Sequence, residues 1–105
     1  PTVSTADVAA SFQYAVVDVL AAKARKAAQQ IGAKTVALGG GVAANSLLRS
    51  TMTTVCAESG WRLVLPSMGM CTDNAAMIAS AGWYRLVADG PSSMDMGAMP
   101  NLKLT

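Results

Sequence analysis

Two short runs of apolar and β-branched residues, Lys34-Thr35-Val36-Ala37-Leu38 and Trp61-Arg62-Leu63-Val64-Leu65, flank a segment with a helical period. This arrangement constrains the fold more than any other feature of the chain. Two strands joined through a crossover of about a dozen or more residues are parallel, and the connection is right-handed in nearly every case. The connecting segment carries Leu47, Leu48, Met52 and Val55 at the spacing of one helix face, and Gly60 is placed to end it. Both runs read as buried strands, the second closed by Pro66. A helix is expected before this unit, from about residue 5 to residue 31, with Val8, Phe12, Val16, Val19 and Leu20 as its apolar face. Ser4 and Asp7 have the spacing of a capping box, and Gly32 that of a C-terminal cap. A further helix, capped by Thr72, carries Ala76, Met77, Ala81 and Leu86 and stops near Gly90-Pro91. The order is helix, strand, helix, strand, helix over residues 1–90, with residues 91–105 as an irregular tail. The fold class is α/β with parallel strands and flanking helices. Sheets usually hold about five or six strands, so two strands imply that more sheet comes from elsewhere.

The parallel arrangement concentrates function at one edge. Both polar and glycine-bearing stretches, Gly39-Gly40-Gly41-Val42-Ala43-Ala44-Asn45 and Met70-Cys71-Thr72-Asp73-Asn74, fall just past the carboxyl ends of the strands, where open parallel sheets place ligands. Three consecutive glycines admit two readings. Gly40 or Gly41 takes a positive φ in a tight turn, or the backbone is kept bare so that a ligand can come close. Asn45 is either a plain helix cap or a ligand contact offering both a donor and an acceptor. Neither the Walker pattern nor GxGxxG is present. Asp73 is either an acid complementing a helix dipole or a carboxylate ligand for a metal or polar group, and one oxygen ligand does not make a transition-metal site alone. Asn74 is by default a turn residue, with a substrate contact as its alternative role. Met68, Met70 and Met77 read as packing, and Cys71 as a small buried hydrophobe in preference to a reactive thiol.

Composition narrows the classes of function. With 52% hydrophobic and 13% charged residues in a chain of 105, this is globular sequence and one domain at most. The net charge of +2 is too small to argue for a nucleic-acid surface unaided. Cys56 and Cys71 lack CxxC or zinc-ligand spacing, so reduced thiols in a cytosolic compartment are expected. No apolar run reaches the ~18 residues of a spanning helix. The absence of histidine rules out Ser-His and Cys-His nucleophile pairs, and any histidine-ligated metal held by this chain alone. A chain opening Pro1-Thr2, with no targeting segment, is expected to be a processed chain or a piece of a longer one.

Three blocks together resemble the family of tRNA threonylcarbamoyladenosine-forming transferases, TsaD, formerly labelled Gcp, glycoprotease or O-sialoglycoprotein endopeptidase. They are "ADVAASFQYAVVDVL" from Ala6 to Leu20, "GGVAANSLLR" from Gly40 to Arg49, and "CTDNAAMIA" from Cys71 to Ala79. The resemblance covers nearly the whole chain but only the final third of the family's length. It implies that residues 1–105 are the carboxyl part of one lobe of an actin, sugar-kinase and Hsp70-like (ASKHA) fold. The implied reaction transfers a threonylcarbamoyl group from threonylcarbamoyl-adenylate to the adenosine beside the anticodon of ANN-decoding tRNAs. By the same implication, Asn45 contacts the nucleotide, with the Gly40 and Gly41 backbone beside it. Asp73 is then one ligand of a divalent metal ion, iron or zinc, whose histidines lie in an HxxxH motif absent from this chain. The implied setting is the cytoplasm, with tRNA and TsaB-like and TsaE-like helper subunits as partners and no membrane. The isolated piece is expected to be inactive and prone to self-association. The alternatives are the lobe of another ASKHA enzyme, a sugar kinase or an O-carbamoyltransferase, and a non-catalytic partner module. Nothing in the chain forms the HExxH or triad that a peptidase would need.

Overall fold

The computed structural model describes residues 2–102. It divides into two compact units, Pro1–Thr72 and Asp73–Thr105. The first unit opens with helix α1 (Thr5–Gln30), started by the expected capping box. Ser4 Oγ accepts from the Asp7 N–H at 3.1 Å, and Asp7 Oδ2 accepts from the Ser4 N–H at 3.0 Å and the Ser4 hydroxyl at 2.7 Å. The Ser4 hydroxyl, and after it the Ser4 N–H, hold the Asp7 carboxyl below its ordinary value. At the other end Gly32 takes φ 64°, its N–H donates to Gln29 O at 3.3 Å and the Ala33 N–H to Ala28 O at 2.9 Å. That pair of bonds is a Schellman closure, which needs a left-handed residue and hence glycine.

Strand β1 (Thr35–Ala37) pairs in parallel with β2 (Arg62–Val64), in the register Thr35 to Arg62, Val36 to Leu63, Ala37 to Val64. Helix α2 (Ser46–Glu58) makes the crossover. It ends in a second Schellman closure at Gly60, φ 69°, with Gly60 N–H to Ala57 O at 3.2 Å and Trp61 N–H to Cys56 O at 2.8 Å. The strand-helix-strand unit is thus as expected, with one addition: a 3-10 turn, Gly41–Ala44, intervenes between the glycines and α2. A second short 3-10 turn, Met68–Met70, follows β2.

The core of this unit is Val17, Ala21, Leu48, Met52 and Cys56, with Ala24, Val36, Leu38, Leu47, Trp61 and Leu63 packed around it. This corrects the expected face of α1. Val8, Phe12, Val19 and Leu20 are exposed, Phe12 at 71%, while the helix buries Val17, Ala21 and Ala28. Small alanines let α1 and α2 approach closely, and the large residues Val8, Phe12 and Val19 lie on the opposite side of the helix, facing outward. The strands are also not buried as expected. Thr35, Ala37, Arg62 and Val64 lie exposed, and only Val36 and Leu63 are half-buried, because helices cover a single face of the two-stranded sheet.

The second unit consists of helix α3 (Ala75–Asp89) and the segment after it, which holds only turns among the described residues. Residues 103–105 of the expected tail lie outside the described residues. The cap of α3 is Asn74, not Thr72: Asn74 Oδ1 accepts from the Met77 N–H at 2.9 Å, and the helix begins at Ala75. Gly90, φ 78°, ends it as expected. No residue of α3 is buried, although Ala76, Met77, Ala81 and Leu86 have helical spacing. No helix among the described residues is long and apolar enough to cross a membrane.

Met52, 1% exposed, has the largest fully buried side chain together with Cys56. Met52→Ala should therefore cost about 2–5 kcal/mol, the range for truncating a large buried side chain. Urea unfolding should show a lowered midpoint with an unchanged slope.

Candidate functional site

The last rung of the sheet is the bond from the Leu38 N–H to Val64 O, 3.0 Å. Past it the two chains leave the same edge as separate loops. The first runs through Gly39 and Gly40 into the 3-10 turn. Gly40 takes φ 78°, ψ 174°, so a side chain there would be strained whatever the space. Gly39 and Gly41 lack that constraint. A Cβ on Gly39 would meet nothing within 4 Å, and one on Gly41 would reach only Thr72 Cγ2 at 3.9 Å, an ordinary contact. The turn therefore needs one of the three glycines. The other two leave backbone bare that the fold itself does not require to be bare.

Asn45 sits where the turn meets α2. Its Oδ1 accepts from the Leu48 N–H at 2.9 Å, capping the helix, while its Nδ2 donates to Gln13 Oε1 of α1 at 3.0 Å. These two bonds fix which way the amide faces, and they leave one N–H and one lone pair for a ligand. Asn45 and Gln13 line a cleft of about 320 Å³ with Phe12, Val16, Val17 and Val42. An apolar wall with two amides at its rim suits a flat heteroaromatic group whose edge carries donors and acceptors. Gln13 was not legible as part of a site. It lies 32 residues from Asn45, inside a helical pattern whose register gives no sign of that pairing. Arg49, on the first turn of α2, donates to Ala43 O and Pro66 O, contacts that only the structure reveals.

Asp73 opens the second unit. It lies outside α3, immediately before the cap Asn74, so Asp73 is not an acid of the helix's first turn. Its side chain is exposed and makes no hydrogen bond or ion pair with the described residues. No group of three His, Cys, Asp or Glu side chains among the described residues could hold a metal ion. The described residues therefore do not form a metal site by themselves, and Asp73 offers one oxygen ligand at most. Cys56 and Cys71 are free and buried, as expected, and burial pushes the Cys56 thiol up.

The family model "TsaD: tRNA N6-adenosine threonylcarbamoyltransferase" matches residues 2–80, a stretch that includes both loops. A protein of Clostridium botulinum (strain 657 / Type Ba4) named tRNA N6-adenosine threonylcarbamoyltransferase is 46% identical over 102 residues, which are 97% of this chain and 30% of the relative. Proteins of the same name from Dehalococcoides mccartyi (strain CBDB1) and Clostridioides difficile (strain 630) are 46% identical over 102 residues and 47% identical over 98. The first of these covers 97% of this chain and 30% of the relative, the second 93% and 29%. The chain thus spans about three tenths of the length of the curated relatives it matches.

The glycines give a test with opposite signs. Gly40→Ala should destabilise by about 1–3 kcal/mol, the cost of holding a side chain in a sparsely populated φ region. Gly39→Ala and Gly41→Ala should be neutral or stabilising by up to about 1 kcal/mol, through loss of unfolded-chain entropy. Denaturant midpoints of the three variants decide it.

Proposed function

Because this chain belongs to the TsaD family of tRNA N6-adenosine threonylcarbamoyltransferases, we propose that it is the carboxyl-terminal segment of a longer enzyme that moves a threonylcarbamoyl group from its adenylate to a tRNA adenosine. The observation that supports a nucleotide role for this segment is the Asn45 edge. A glycine loop keeps more backbone bare than its own turn requires, beside an oriented amide and an apolar cleft.

In this reading the cleft takes the adenosine part of the adenylate, and the spare Asn45 N–H and lone pair hold its polar edge. The Gly39–Gly41 backbone N–H groups, free of side chains, approach the ribose or phosphate. The amine nitrogen of the tRNA adenosine attacks the carbonyl carbon of the threonylcarbamoyl group and forms the new N–C bond. The C–O bond to phosphate breaks, the electron pair leaves with adenosine monophosphate, and the amine loses a proton. This segment contributes by holding the adenylate still, which removes the entropic cost of bringing the reactants together. Asp73 serves as one ligand of a divalent iron or zinc ion whose remaining ligands lie outside this chain. Its exposed carboxylate, committed to no described partner, is what supports that role.

In the intact protein, Asn45→Ala should weaken binding of a sulfamoyl analogue of the adenylate by about 1–3 kcal/mol, the cost of an unpaired buried polar partner. It should also cost about 1 kcal/mol of stability through loss of the α2 cap. Calorimetry and denaturation measured on one sample separate the two, and unchanged affinity with lowered stability would leave Asn45 as a cap alone. Asp73→Asn should lower metal content and transfer while the melting temperature stays near wild type, since Asn74 carries the α3 cap. Stoichiometric metal in Asp73→Asn protein would exclude it as a ligand.

The isolated 105-residue chain should transfer nothing to tRNA and bind no metal tightly. It should also self-associate, because β1 and β2 pair only with each other among the described residues and each strand keeps an open edge. A monomer by light scattering at high concentration, with a sharp melt, would contradict this expectation.

A further inference from the structure

Arg49 ties together the two loops that leave the sheet edge. Its Nη1 donates to Ala43 O at 2.8 Å in the first loop, and its Nη2 donates to Pro66 O at 2.8 Å in the second. Nη1 also lies 3.8 Å from Cys71 Sγ, which itself donates to Ser67 O at 3.4 Å. The backbone N–H of Arg49 donates to Asn45 O at 3.0 Å. One residue thus holds the C-terminal end of the 3-10 turn twice, through Asn45 by its main chain and through Ala43 by its side chain. Among the described residues, no backbone hydrogen bond joins residues 39–45 to residues 65–71 beyond the last strand rung.

The chemistry of the contact is specific to arginine. Two carbonyls on different loops are met by the two terminal nitrogens of a planar fork, whereas a lysine ammonium would present a single point charge. No carboxylate of the described residues lies within ion-pair distance of Arg49, so the charge is spent on carbonyls. Hydrogen bonds from a charged donor are about twice as strong as neutral ones. The side chain is half-buried, and its stem runs from the first turn of the helix that Asn45 caps.

We propose that Arg49 is a positioning residue: by clamping the 40–45 loop to the 66–71 loop, it sets the Asn45 amide for the adenylate. The inference rests on the nucleotide role proposed above for Asn45, but the clamp has a readout independent of that role. Cys71, 2% exposed, lies against the guanidinium, whereas Cys56, 1% exposed, belongs to the core with Val17, Ala21 and Met52 and serves as an internal control.

The test uses the intact protein with Arg49→Met and Arg49→Lys, N-ethylmaleimide as the thiol probe, and peptide mass spectrometry to resolve the two cysteines. Arg49→Met should raise the labelling rate of Cys71 by about tenfold or more, as a loop opens locally, with Cys56 unchanged. Affinity for the sulfamoyl adenylate analogue should fall by about tenfold, and KM for the adenylate should rise correspondingly with kcat within about threefold of wild type. Arg49→Lys should lie between, since one donor nitrogen in place of two, and the charge, remain. If Cys56 labelling rises in parallel in the methionine variant, that variant has unfolded globally and the lysine variant decides. Unchanged Cys71 labelling overturns the clamp. Raised labelling with unchanged analogue affinity overturns the positioning role, provided Asn45→Ala weakens binding in the same assay. If Asn45→Ala leaves binding unchanged, the nucleotide reading has failed, and Cys71 labelling alone then upholds or overturns the clamp.

Discussion

Everything at the candidate site depends on the parallel pairing of two three-residue strands. Val36 opposite Leu63, with one rung on each side, is a small amount of sheet. It is enough to send both chains off the same edge, because a parallel partner must exit where its neighbour exits. The crossover that makes the pairing parallel is α2, and its length is set chemically at both ends. Asn45 starts it by capping the Leu48 N–H, and Gly60 stops it with a left-handed residue before Trp61 enters β2. Moving either end by a residue would shift the Val36 register and with it the spacing of the two loops.

That dependence is why Asn45, a helix cap in the structure, also suits the ligand role proposed for it. A cap side chain must stand at the first turn with its oxygen on an N–H, which also puts it at the positive end of a helix dipole. A side chain free to rotate would lose entropy on meeting a ligand. Asn45 has already lost it to Leu48 and Gln13, so its remaining N–H and lone pair are presented at no further ordering cost. The same logic makes Gln13 relevant. Without its Oε1, the cap alone would still hold Oδ1, but Nδ2 would be free to swing.

What the sequence revealed and what it concealed follow from range. The capping box at Ser4, the Schellman glycines at 32 and 60, the stop at Gly90 and the strand-helix-strand order are written in residues a few positions apart, and all of them stand in the structure. The α1 face was misread because large residues dominate a hydrophobic pattern. The helix packs on Val17, Ala21 and Ala28, where smallness is what allows close approach, and Val8, Phe12 and Val19 carry a stronger signal on the opposite side. Thr72 and Asn74 are both good caps, and a choice between neighbours two residues apart is finer than spacing can make. At the site, the glycines and Asn45 were visible as a local cluster. Gln13 and Arg49 were not, since their partners lie 32 and 17 residues away and only tertiary folding brings them together.

The distribution of burial supports the view that these residues belong to a larger body. More than half of the chain is hydrophobic, 52%, yet only eight hydrophobic residues of those described are buried, and three of the eight are alanines. The first unit keeps Val8, Phe12, Val19 and Leu20 on one exposed stripe of α1. The second keeps Trp83, Tyr84 and Val87 along one side of α3 in solvent, with Ile78 exposed on the other side, each more than 60% exposed. Single exposed hydrophobes are ordinary on a protein surface, but stripes at helical spacing are not. The strands make the same point in the backbone. A sheet with helices on one face alone leaves Ala37 and Val64 uncovered, and each strand lacks a neighbour on one side. Relatives more than three times as long supply a simple source for the missing cover. In the longer enzyme proposed above, the apolar stripe of α1, the bare sheet face and the open strand edges would be interior surfaces, while the Asn45 edge is formed within the first unit alone.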